Sequence, residues 1–201
     1  MTREHWDARF SEEGYAYGTE ANEFIKKMSG LIPRESEVAA FAEGEGRNAV
    51  FLARTGHRVT AYDQSAVGLE KTHVLAEENG VQVNTAEMDL IRERVPAGSF
   101  DASILVFGHV PKNSQAELFS NLAGSVKKGG IVLFEVYSEE QMAYGTGGPG
   151  KLDSLYDPAD VLSWIRPHKV LHFFYGEAER TEGRRHTGIG HVIQGAFIKK
   201  H

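Results

Sequence analysis

No cysteine occurs among the 201 residues, which excludes disulfides, thiolate metal sites and a cysteine nucleophile. Equally absent is any apolar run near the roughly 20 residues that a membrane-spanning helix requires, so no membrane partner is expected. The opening residues, Met-Thr-Arg-Glu-His-Trp-Asp, lack the apolar core of a secretory leader, and the expected location is the cytoplasm. Nor is there a surplus of positive charge: the formal charge of −6 gives no sequence-wide attraction to a phosphate backbone, so nucleic acid is not expected as a partner. A small molecule is. What the chain does have is 41% hydrophobic residues, enough for a sizeable core, and a length that suits one domain with embellishments.

The most telling stretch is Val38-Ala-Ala-Phe-Ala-Glu-Gly-Glu-Gly-Arg-Asn-Ala-Val-Phe-Leu-Ala53: a short apolar run, a glycine-bearing turn, then helical apolar spacing. Seventeen residues past Gly46 a second apolar run, Arg58-Val-Thr-Ala-Tyr-Asp63, ends in an acid. Glycine lets a backbone turn approach a ligand closely, and an acid at the tip of the next strand can grip paired ribose hydroxyls. Together they point to a nucleoside-cofactor site.

Around this pair the chain alternates. Helices are expected over 23–32, 48–55, 65–79, 114–126 and 158–165, and strands over 38–42, 59–62, 81–83, 100–107 and 131–137, with Lys128-Gly-Gly130 as the turn into the last. Ser65 is the expected cap of the third helix. Strands alternating with helices imply a parallel sheet covered on both faces, with its ligand at the carboxyl ends of the strands. The tail differs: 170–175 and 191–198 read as two strands with no helix between them, hence an antiparallel edge pair. No internal repeat appears, and Gly145-Thr-Gly-Gly-Pro-Gly150 is the one low-complexity patch, suited to a lid or to a plain surface connection.

The glycine turn and Asp63 combine with Tyr17-Gly-Thr-Glu-Ala-Asn22, Met88-Asp-Leu90, Lys128-Gly-Gly130, Tyr144-Gly-Thr-Gly-Gly-Pro149 and Glu182-Gly-Arg-Arg-His-Thr-Gly188. In this order and spacing they resemble the class I S-adenosylmethionine-dependent methyltransferases, and within them the tellurite-resistance and thiopurine methyltransferase-like group. The resemblance covers nearly the whole chain. It implies an α/β fold, a Rossmann-like doubly wound and mostly parallel seven-stranded sheet with an antiparallel C-terminal strand. It also implies S-adenosylmethionine as cofactor and methyl transfer to a small-molecule acceptor, such as a chalcogen oxyanion or a thiol. One methyltransferase domain would fill residues 1–201: a cap over 1–32, a cofactor-binding core over 38–137, and a lid loop, helix and hairpin over 138–201. Monomer and homodimer both fit.

By the same resemblance Gly44 and Gly46 would approach the methionine part of the cofactor, Asp63 its ribose, and Asp89 with Leu90 its adenine. Tyr17, Glu43, Asn48, Gln64 and Phe107 complete the expected cofactor set. The first turn departs from the family pattern, with Ala40 and Ala42 where an acid and a glycine are usual, and Glu43 is the nearby acid that would substitute. His109, just past the fourth strand, together with His186 and Arg184 in the tail, are the expected catalytic residues on the acceptor side. From Arg166 onward seven Lys and Arg face three Asp and Glu, so Arg180, Arg184, Arg185 and His186 would form a positive rim for an anionic or electron-rich acceptor, unless they are simply solvated hairpin charges.

Other readings stay open on the sequence alone. Gly44-Glu-Gly-Arg-Asn-Ala49 also fits a dinucleotide fingerprint, as in a nicotinamide-linked oxidoreductase. Ala40 and Ala42 would suit a non-catalytic S-adenosylmethionine or nucleoside-binding protein. Asp89 fits a plain turn residue, and Trp6, Phe10, Tyr15 and Tyr17 fit ordinary core aromatics of a cap. His168 and His172, four apart in a strand, would not form a helical ligand pair, and no metal site is expected.

Overall fold

The computed structural model describes residues 2–183 and 186–200. Seven strands form a single sheet: β1 (Glu37–Phe41), β2 (Arg58–Asp63), β3 (Asn84–Glu87), β4 (Phe100–Val106), β5 (Val126–Tyr137), β6 (Lys169–Glu182) and β7 (His186–Ile198), in the order β3-β2-β1-β4-β5-β7-β6. β1 to β5 run parallel to their neighbours, while β7 lies antiparallel between β5 and β6. The strand order reverses between β1 and β4, which opens a crevice at their carboxyl ends.

Period-two alternation sorts the core onto the two faces of the sheet. In β1, Val38 and Ala40 pack with Phe24 and Ile25 of α2 (Glu23–Met28), Ala49 and Leu52 of α3 (Arg47–Arg54) and Leu69 and Leu75 of α4 (Ala66–Glu78). The intervening Ala39 and Phe41 face Leu118, Phe119 and Leu122 of α5 (Lys112–Ser125) and Val161 and Ile165 of α6 (Pro158–Ile165). Ser65 caps α4 by accepting a hydrogen bond from the Gly68 amide, and Asp157 caps α6 through the Ala159 amide.

The structure corrects several expected boundaries. The third strand lies at 84–87, not 81–83, because Val81 still accepts the end of α4 by donating its amide to the Ala76 carbonyl, and pairing with β2 begins only at Asn84. Lys128-Gly-Gly130 lies inside β5, with Gly129 at φ +81° and an irregular register opposite β4. The α-helix expected over 23–32 ends at Met28 and tightens into a 3₁₀ turn over Ser29–Leu31 before Pro33. The tail strands extend far beyond 170–175 and 191–198, pairing from Lys169 opposite Ile198 to Glu182 opposite His186 with one register shift between Val170 and His172. The polar stretch between them carries Arg180 and Glu182, which are satisfied by Glu135 and Arg47 outside the hairpin, as described below. Finally, the polar opening contains a helix, α1 (Arg3–Phe10), capped by Thr2. Its weak apolar periodicity hides it, since only Phe10 is buried.

Candidate active site

At the carboxyl ends of β1, β2 and β4 lies a cavity of about 750 Å³. Its floor is the turn after β1. Ala42 adopts φ +49°, a left-handed conformation that suits glycine, and stands where the family pattern has one. Gly44, at φ +63°, approaches α1 so closely that a Cβ there would lie 2.8 Å from the Phe10 ring. Gly46, at φ +89°, is instead packed on α4, where a Cβ would lie 2.6 Å from Thr72, and it does not line the cavity. Replacing Ala42 by Gly should relieve a backbone cost of about 1–2 kcal/mol, partly offset by the greater freedom of the unfolded chain. A net gain of about 0.5–1 kcal/mol is expected in denaturant unfolding, and a loss of stability would show that the Ala42 methyl packs productively.

Two buried carboxylates flank this turn. Asp63 accepts the Gly44 amide at 2.9 Å and the Ser65 amide at 2.9 Å, so it ties the end of β2 to the glycine turn. Burial pushes its pKa up to about 6, against the pull of these amides. Glu43 turns back to the start of α3, where one oxygen accepts the amides of Asn48 and Ala49, both at 2.8 Å. Burial raises it to about 7. Ala40, at the position of the usual acid, is wholly buried among core side chains. Glu43 is therefore the carboxylate that lines the cavity beside the turn.

Gln64, Met88, Asp89 and Leu90 line the cavity next to Asp63. The Asp89 carboxylate accepts the Ile91 amide at 3.1 Å and the Arg92 amide at 3.3 Å, an Asx-type turn that also presents the residue to the cavity. Tyr17, Asn48, Phe107, His109 and His186 line it as well. Of the expected cofactor and catalytic residues among the described ones, only Gly46 does not line the cavity; Arg184, with Arg185, lies outside the described residues.

The far end is an aromatic box. Phe107 has φ +52°, an outlier for a bulky residue, and stacks on Tyr137 with ring centroids 4.4 Å apart. The His186 ring lies 4.4 Å from Tyr17, 4.7 Å from Phe107 and 5.6 Å from Tyr137. His109 is sandwiched between Trp6 at 6.5 Å and Tyr137 at 6.0 Å. Desolvation lowers His109 to about 4, and His186 falls well below its ordinary value through burial and the nearby Arg47. Both imidazoles are neutral at pH 7. The Nδ1 atoms of both are buried without a hydrogen-bond partner among the described residues.

Trp6, Tyr17, His109 and His186 also wall a second cavity of about 390 Å³, closed on its other side by Gly145 to Pro149. This glycine loop is tethered: Gln141 donates to the Gly147 carbonyl at 3.1 Å, and the Thr146 hydroxyl donates to the Ile189 carbonyl at 2.6 Å.

Behind the box runs a charged network that sequence reading missed. Arg180 does not join a solvated rim; it is buried, donates to Glu135 at 2.8 Å and lies 4.8 Å from the Tyr137 ring. Arg47, which lines the larger cavity, donates to Glu182 at 2.6 Å. Asn22 bridges the pairs, donating to Glu182 at 3.0 Å and Glu135 at 3.3 Å, and Gln194 donates to the second Glu135 oxygen at 2.6 Å. No local pattern announces partners that stand 113 and 160 positions from Asn22. Phe10 and Trp6 were legible only as cap aromatics; their place over Gly44 and His109 depends on α1 folding back over α4.

Residues 38–130 match the family model described as a methyltransferase domain. Solved structures share the fold: TehB from Haemophilus influenzae (15% identity, TM-score 0.70, 90% of this chain and 63% of that one) and an S-adenosylmethionine-dependent methyltransferase from Anabaena variabilis (14%, TM-score 0.71, 98% and 93%). A third is a structure described for the conversion of a disulfide bond into a thioacetal group during echinomycin biosynthesis (15%, TM-score 0.75, 98% and 92%). The chain thus spans less than two thirds of TehB. No curated protein matches the chain significantly. The fold is that of the Rossmann-like methyltransferases. The match spans residues 38–130, under half of the chain, and the cofactor that such a methyltransferase domain would take is S-adenosylmethionine. The cavity suits that cofactor: it carries buried acids at Asp63 and Glu43, a glycine turn against its floor, and apolar walls at Met88, Leu90 and Phe107.

Proposed function

We propose that the chain is an S-adenosylmethionine-dependent methyltransferase that methylates a small molecule at a soft nucleophile, a thiol or the lone-pair chalcogen of an oxyanion, held in the aromatic box where the two cavities meet. The observation that carries this reading is the pair of enclosed, neutral imidazoles, His109 and His186, each of which walls both cavities. A polarisable sulfur sits well against aromatic faces, and a neutral imidazole accepts a thiol proton. The neighbours point the same way: one is TehB, from the group the tail motif resembles, and another is described for chemistry at a disulfide.

S-adenosylmethionine supplies a methyl group already activated on a sulfonium. The remaining work falls to alignment and water exclusion, which supply roughly 7–11 kcal/mol in well-oriented reactions. In this reading Asp63 would hold the ribose hydroxyls, Asp89 and Leu90 the adenine end, Gln64 the base-ribose junction, and Gly44, Glu43, Asn48, Tyr17 and Phe107 the methionine end. Glu43 supplies the negative charge for the methionine ammonium that Ala40 lacks. On the acceptor side, His186 would take the proton that a thiol acceptor loses, and His109 would orient the acceptor. Residues 1–32 act as the cap, and the loop over 145–150 as the lid on the acceptor side.

His186→Ala tests the assignment. S-adenosylhomocysteine release with a panel of thiols, selenite and tellurite is expected to fall at least 100-fold for the acceptor turned over by the unaltered enzyme, with cofactor affinity and melting temperature near unaltered values. A fall in melting temperature with unchanged activity of the folded fraction would make His186 a packing residue only.

A further inference from the structure

The second cavity is electrostatically one-sided. Among the described residues its lining contains the Arg9 guanidinium and the imidazoles of His5, His109 and His186, with Trp6 and Tyr17, and no aspartate or glutamate. Arg9 projects from the last turn of α1 and is half-buried. Among the described residues its hydrogen bond goes to the Tyr17 hydroxyl at 3.3 Å, a neutral partner, and no carboxylate lies within ion-pair distance. This sets it apart from the buried Arg47 and Arg180, each of which is paired with a glutamate. A phenol satisfies one of the five guanidinium N–H donors and none of its charge.

Resting on the reading that the acceptor's nucleophile sits between His109 and His186, we infer that the acceptor carries a second, permanently anionic group such as a carboxylate, and that Arg9 binds it in the smaller cavity. The geometry connects the two ends. Tyr17 contacts the His186 ring at 4.4 Å and accepts from Arg9, so the guanidinium stands one aromatic ring away from the proposed proton acceptor. A molecule with its nucleophile at His186 has its remaining bulk directed into the space between Arg9 and the glycine loop, since the larger cavity on the other side is the cofactor's. Planar carboxylates match the guanidinium fork bidentately. Burial, with a smaller contribution from Arg9, disfavours the protonated forms of His5 and His186.

The test uses two isosteric probe pairs that differ in charge: 4-mercaptobenzoate against 4-mercaptobenzamide, and the sulfur-free benzoate against benzamide. Each is titrated calorimetrically into the full chain saturated with S-adenosylhomocysteine. The unaltered enzyme is expected to bind the carboxylate member of each pair at least tenfold more tightly. Arg9→Gln should reduce the preference to within twofold, and Arg9→Lys should retain part of it, with S-adenosylhomocysteine affinity and melting temperature unchanged in both. Equal affinity within the pairs, no detectable binding of any probe, or a preference that survives in Arg9→Gln would overturn the inference. An Arg9-dependent preference within the benzoate pair, combined with failure of every thiol to support S-adenosylhomocysteine release, would support the anion site and overturn the sulfur reading instead.

Discussion

Asp63→Ala is expected to weaken S-adenosylmethionine binding by two to four orders of magnitude, taking two charge-assisted hydrogen bonds to the ribose at roughly 1.5–3 kcal/mol each. The effect is large because Asp63 has a second duty: its oxygens already accept the Gly44 and Ser65 amides, so its removal also loosens the floor of the cavity. Calorimetry on the folded variant checks this, and undiminished affinity would remove Asp63 from the cofactor contacts. The same carboxylate sets a pH dependence. Its folded value of about 6 lies above its ordinary 3.8, so the cofactor-free protein binds the proton more tightly than the unfolded chain does. Its contribution therefore lowers the stability of the cofactor-free protein as pH rises from about 4 to 6, while cofactor affinity rises over that window as the carboxylate ionises.

The other large effect belongs to the buried charges. Glu135→Ala would strand the Arg180 guanidinium, whose side chain is 3% exposed, and would remove an acceptor from both Asn22 and Gln194. Breaking one partner of such a pair costs about 3–5 kcal/mol, which at this chain length lowers the melting temperature by roughly 10 °C. Replacing both members, Glu135→Leu with Arg180→Met, should recover much of the loss, because no lone charge is left behind. Thermal unfolding of the single and the double variant decides it: a drop of under about 2 °C in Glu135→Ala would mean that water reaches Arg180.

Most of the parallel half of the fold was legible because its elements are announced locally, by Ser65 at a cap, by the apolar run over 38–42, and by the glycines of the turn that follows it; the third strand was misplaced because Val81 still belongs to the end of α4. Asp63 was legible for the same reason: its place at a strand end follows from neighbours in sequence. What remained hidden depends on long-range meetings. The hairpin strands looked broken because Arg180 and Glu182 point inward as charges, which is tolerable only with Glu135 and Arg47 opposite them. Gly46 looked like a ligand contact because its spacing matched; only the position of α4 reveals that Thr72 fills the space beside it. Arg9 gave no signal, since a lone arginine on a weakly amphipathic helix resembles any solvated charge.

The two buried ion pairs each join a residue upstream of the α6 helix to a residue of the C-terminal hairpin. Arg47 lies inside the stretch that matches the methyltransferase-domain model and Glu135 just beyond it, whereas Glu182 and Arg180 lie far downstream. The hairpin is consequently not an interchangeable accessory. A chimera that took the tail of a relative without matching positions 22, 47 and 135 would bury mismatched charge under the acceptor box, so these positions and the tail must change together in evolution and in engineering alike.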